Sequence, residues 1–145
     1  MSCGDPIPKS LWAERYAWIR SIDEAEQHPL GSYLLSSHGV FLAYDIDIAF
    51  CAGAWVSVII LAHASIDATI RDTESGDYAS NSKVVFGADP DLEWLRKRRN
   101  SLVHVREGYD PSNLDTIDTF HDTLEIDARR AMNLVYRTIY ANPGT

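Results

Sequence analysis

The chain has 145 residues, 46% of them apolar, with a formal net charge of −8. That length suits a single domain over residues 1–145 with a sizeable core. The acidic balance excludes a protein that coats DNA through general positive charge. Cys3 and Cys51 are the two cysteines; they form neither a disulfide framework nor a zinc pattern, and they suit a reducing cytoplasm.

The opening residues, with Gly4, Asp5, Pro6 and Pro8, carry no basic-then-apolar signal pattern. A first helix is predicted after Pro8, with Leu11, Trp12, Tyr16, Ile19 and Ile22 near helical spacing and a stop by Pro29. A polar, glycine-containing stretch from Gly31 to Gly39 follows. A long helix is then predicted from about Asp45 to Glu74. Within it, Ile48 to Ile66 contains no Asp, Glu, Lys or Arg, long enough to span a bilayer. Gly53, Ser57, His63 and Ser65 interrupt that stretch and no basic residue flanks it, so a buried central helix is the better reading. Val56 to Leu61 is also strand-like, but strands seldom exceed ~10 residues and the pattern runs on.

Ser75 to Asp89, with Gly76, Asn81 and Gly87, reads as an exposed loop. Asp89-Pro90 supplies a capping side chain and a first-turn proline, opening a helix over Asp91 to about Glu107 that stops at Gly108. Asp110-Pro111-Ser112 opens the last helix. Its stripe is Leu114, Ile117, Phe120, Leu124, Ala128, Ala131, Val135 and Thr138, and it ends before Asn142-Pro143-Gly144. There is no hairpin signal and no internal repeat. The fold class is therefore all-α, an up-and-down bundle of four or five helices.

The chemistry concentrates in the helix after Asp89. Arg96, Lys97, Arg98 and Arg99 form the chain's densest basic patch, which is either a solvated face or a local nucleic-acid contact. Leu92, Leu95, Leu102 and Val103 share one side of the wheel, and Arg99 falls within that apolar stripe. Asn100 and His104 are four residues apart and so are neighbours on the helix. Arg99 and His104 stand about 140° apart, a gap that a long side chain or a second subunit could close. A charge in an apolar stripe needs a partner. Asp67, in line with Val56, Ile60 and His63, is the best candidate, and Arg99–Asp67 could be a purely structural ion pair. Alternatively, arginine, amide and imidazole together are what phosphodiester cleavage without a metal requires.

Other residues point to packing or solvent. His63 and Asp67 are four apart, as are His121 and Glu125, but neither pair extends to a recognised metal-ligand set, so no metal is expected. Trp12, Trp18, Trp55 and Trp94 read as core or interface anchors. Gly-rich phosphate loops are absent.

The run Arg99-Asn100-Ser101-Leu102-Val103-His104, preceded by Leu95-Arg96, resembles the hallmark of the HEPN superfamily: an arginine, a polar residue, three variable positions and a histidine. The upstream segment Ser65-Ile66-Asp67-Ala68-Thr69-Ile70-Arg71 is similar to that family's partner helix, which often carries an acidic residue near its end. The resemblance implies a helical bundle that forms a homodimer, with its two motif helices facing across a cleft. It implies a metal-independent, cofactor-free endoribonuclease of a toxin–antitoxin or other defence system, with RNA as substrate and an antitoxin protein as a possible partner. His104 would move the proton, Arg99 would stabilise charge on the phosphorane-like transition state, and Asn100 would orient the phosphate. Arg96, Lys97, Arg98, Arg106 and Asp67 would bind RNA or support the site. Arg106 stands where toxins paired with a nucleotidyltransferase antitoxin usually have tyrosine. The alternative is a non-catalytic member that binds a nucleotide, RNA or a partner protein through the same cleft. A helical scaffold with a purely structural Arg99 is a third reading.

Overall fold

Pro8 opens the first helix, α1 (Lys9–Glu26), by fixing its own backbone and offering its carbonyl to the amides of Leu11 and Trp12, each at 3.1 Å. The computed structural model describes residues 5–27, 37–73, 88–104 and 114–141, with the side chains of 37, 40, 71–73, 114–120 and 141 excepted. Beyond α1 the described residues form α2 (Ser37–Ala52), α3 (Trp55–Thr73), α4 (Pro90–Val103) and α5 (Leu114–Ala141), and they include no strand. The protein is an all-α bundle. The expected loop at Ser75–Asp89, save its last two residues, and the opening Asp110-Pro111-Ser112 lie outside the described residues.

The single helix expected from Asp45 to Glu74 is two helices, and the break is local chemistry. Gly53 adopts a positive φ of 76°, a region open to glycine but costly for a residue with a Cβ. Its amide bonds to Phe50 O at 3.0 Å and that of Ala54 to Ala49 O at 2.9 Å, the paired closure that ends a helix on a left-handed glycine. Arg15 of α1 completes the elbow. It is buried, donates from Nη1 to Cys51 O at 3.0 Å, and lays its guanidinium 4.9 Å from the Trp55 ring centroid. The uncharged stretch is thereby divided, and no helix among the described residues is long and apolar enough to cross a membrane.

Helix α3 lies at the centre, packed most extensively on α5 and also on α2 and α4; α1 closes the bundle against α2 and α5. The core gathers Phe50, Val58, Ile59, Ile66, Leu95 and Met132, all essentially without solvent contact. Trp18 stacks on Phe50 at 4.8 Å between centroids, and Trp55 meets the same ring edge-on at 5.3 Å. Trp94 is half-buried beneath Arg130, whereas Trp12 is exposed. The stripe expected on α5 is buried at Leu124, Ala128, Ala131 and Val135. Thr138 is half-buried and returns its hydroxyl to Leu134 O at 2.7 Å.

A polar seam ties α1 and α2 to α5. Tyr140 donates to Asp23 and accepts from Gln27 Nε2 at 3.3 Å, while Tyr136 donates to Asp47 Oδ1 at 3.1 Å. Burial pushes the Asp47 carboxyl up to about 6; the Tyr136 hydrogen bond opposes the shift and the Asp23 charge adds to it.

Candidate functional site

The helix that carries the basic run is pinned at its start. Asp89 caps α4 by accepting from the amides of Asp91 at 2.9 Å and Leu92 at 3.4 Å. Arg137 of α5 then reaches both Asp89 at 3.2 Å and Asp91 at 3.1 Å, and Arg130 reaches Asp91 at 3.1 Å. Those two guanidinium groups hold the Asp91 carboxyl below its ordinary range. Leu92 and Leu95 bury the inner face of α4 against the core. This fixes which side of the helix presents the residues that follow.

The basic patch is not an open cationic surface. Arg96 grips Glu93 with both arms of its fork, at 2.9 and 2.6 Å, and Lys97 Nζ stands 3.8 Å from the same carboxylate. Arg98 pairs with Asp127 of α5 at 2.7 Å and also donates to Ser101 Oγ at 3.3 Å. Both partners of that ion pair are only 20% exposed, so Arg98 fastens α4 to α5.

Arg99 differs from its neighbours. It is half-buried, as its place in the apolar stripe implies, but it makes no ion pair among the described residues and so does not meet the expected partner Asp67. Its Nη1 donates instead to the amide oxygen of adjacent Asn100 at 2.6 Å, the acceptor nearest to hand. Such a bond orients a guanidinium without neutralising it.

His104 also departs from the expected helix. α4 ends at Val103 rather than near Glu107, and His104 is its C-cap, extended at φ −108° and ψ 131°. Val103 and His104 are weak helix formers, so little local propensity favours carrying the helix further. The His104 amide still reaches Asn100 O at 3.1 Å, and its side chain is exposed. Because the residue leaves the helix, the 140° separation of an ideal wheel does not describe its relation to Arg99. Arg106 and Glu107 lie outside the described residues.

Helix α3 contributes the rest. The line Val56, Ile60, His63 and Asp67 is a partly exposed face, flanking the fully buried Val58, Ile59, Ala62 and Ile66. From it, His63 comes under the charges of Arg99 and Arg96 on α4 and of Asp67 on its own helix. Burial is the largest cause holding the His63 imidazole below its ordinary value; Arg99 and then Arg96 reinforce it, and Asp67 opposes. His63 had only one signal in the sequence, its four-residue offset from Asp67, and that offset suggests a metal pair. Among the described residues no group of three or more His, Cys, Asp or Glu side chains could hold a metal ion. His121 is exposed beside the Trp55 ring, at 6.0 Å between centroids, and Glu125 pairs with Arg129 at 3.5 Å.

The packing of α3 on α4 thus sets the half-buried His63 within the field of Arg99, which makes no ion pair among the described residues and bonds to the Asn100 amide, with a second imidazole at the end of α4. No protein-family model, curated protein or solved structure matches the chain.

Proposed function

We propose that this protein binds RNA at the Arg99–Asn100–His104 segment and cleaves it without a metal, as a HEPN-like endoribonuclease of a toxin–antitoxin or defence system. The observation that carries this reading is the state of Arg99. Arg96 and Arg98 are each spent on a carboxylate, whereas Arg99 is oriented by an amide and keeps its charge for an anion. A phosphodiester oxygen suits that fork, and charge growing on phosphorus in the transition state is what a preoriented cation stabilises.

The chemistry needs one group to take the proton from the ribose 2′-hydroxyl and one to give a proton to the departing 5′-oxygen. His104, an exposed imidazole, suits either role. Attack of the 2′-oxygen on phosphorus then yields a 2′,3′-cyclic phosphate and a 5′-hydroxyl. A homodimer with facing motif helices would supply two copies of His104. A binding module without catalysis is favoured instead by the displacement of His104 from the helical face of Asn100.

The deciding experiment is incubation of labelled RNA in EDTA with the wild type, Arg99→Ala and His104→Ala, each checked for helical content. We expect cyclic-phosphate ends from the wild type and a loss of at least about 100-fold in each variant. A folded wild type that leaves RNA intact would leave binding as the function of this site.

A further inference from the structure

Helix α2 is apolar on two faces, and the bundle covers one of them. Ile46 and Phe50 are buried where α2 packs on α3 and α1. On the other face Phe41, Tyr44 and Ile48 are 71%, 67% and 41% exposed. A helix apolar on both sides is ordinarily covered on both. The exposed three follow one another at intervals of three and four residues. That is the a–d–a spacing of a seam between helices, and it spans two turns, about 10 Å. We propose that this face docks a basic amphipathic helix of a partner protein, its apolar residues meshing with Phe41, Tyr44 and Ile48 and its Lys or Arg side chains pairing with Asp45. The proposal is independent of the nuclease reading.

Charge selects this occupant. Asp45 lies four residues after Phe41 and three before Ile48, so it borders the seam. It is exposed and makes no ion pair among the described residues. Asp47, by contrast, is held inside by Tyr136. Residues 37–70 contain no Lys or Arg, so α2 and the helix after it offer Asp45 no cation. A second copy of the chain fits the face poorly. A two-fold pairing pivots at the middle of the seam, between Tyr44 and Asp45, and brings two Asp45 carboxylates together on chains that each carry −8. A lipid surface fits poorly too, because helices that lie on membranes set Lys and Arg around the apolar stripe. A cationic helix meets both features at once. Its seam fills the stripe, its flanking cations meet Asp45, and the acidic balance of the whole chain draws it in.

The test uses the full chain and two labelled two-heptad peptides, cross-linked to hold them helical. Both carry Leu at a and d; one has Lys at e and g, the other Glu. In fluorescence anisotropy the Lys peptide should bind the wild type at least about 10-fold more tightly than the Glu peptide. Asp45→Lys should reverse that order. Phe41→Ser and Tyr44→Ser, each checked for unchanged helical content, should weaken the Lys peptide at least about 10-fold. A wild type that binds neither peptide, or a preference that survives Asp45→Lys, overturns the proposal. A dimer in sedimentation that Tyr44→Ser dissociates also overturns it and gives the face to a second copy. Binding to phosphatidylcholine vesicles that Phe41→Ser abolishes overturns it in favour of a membrane.

Discussion

Asp47 shows how one buried carboxylate sets a pH dependence far from the basic run. Its proton leaves at about 6 in the folded chain, against an ordinary value of 3.8, chiefly because burial disfavours the charge. The folded state therefore holds a proton that the unfolded state has released between those values. Stability present below pH 3.8 is lost as pH rises through about 6. Asp47→Asn keeps an acceptor for Tyr136 and removes the charge. It should stabilise the protein by about 1 kcal/mol at pH 7, allowing for solvent screening, and leave it unchanged below pH 4. Urea unfolding at the two pH values checks this, and an equal effect at both would refute it. Arg99 and Arg98 give a parallel lesson. They are adjacent in sequence, yet one orients on an amide and the other bridges two helices, because α4 turns the second toward Asp127.

Among the elements, the elbow between α2 and α3 was hidden from pattern reading for a definable reason. Gly53 sits among apolar residues that continue a helical period on both sides, and the guanidinium that caps the turn comes from α1, 36 residues earlier than its acceptor. By contrast, the starts of α1 and α4 were plain, since Pro8 and Asp89-Pro90 act through their own backbone and side chain. The end of α4 was not, because no glycine or proline stands at Val103 to mark it. The same divide runs through the candidate site. Arg99, Asn100 and His104 announce themselves by spacing, while His63 acquires meaning only from the packing of α3 on α4. A Cβ at Gly53 would lie 3.1 Å from Arg15 Nη1 in a left-handed backbone. Gly53→Ala should therefore cost about 1–2 kcal/mol, read as a lowered urea midpoint; an unchanged midpoint would show the elbow to be tolerant.

For the whole molecule, the charge balance constrains how RNA can be held. With a net charge of −8 and Arg96 and Arg98 engaged internally, few cations remain to follow a phosphate backbone. Binding of single-stranded RNA should show a shallow salt dependence, a log–log slope of about −1, matching one or two neutralised phosphates. Fluorescence anisotropy across a salt series measures it, and a slope steeper than about −4 would mean a cationic surface beyond the residues named above. The elbow has a further consequence, in time rather than in space. Joining Arg15 to Cys51 closes a long stretch of chain, and such closures come late because their entropy must be met before the contact rewards it. A peptide of residues 37–73 alone keeps the backbone bonds that end α2 at Gly53 but lacks Arg15 as donor to Cys51 O. The turn between α2 and α3 can thus form locally and early, while its fastening to α1 waits for the long closure.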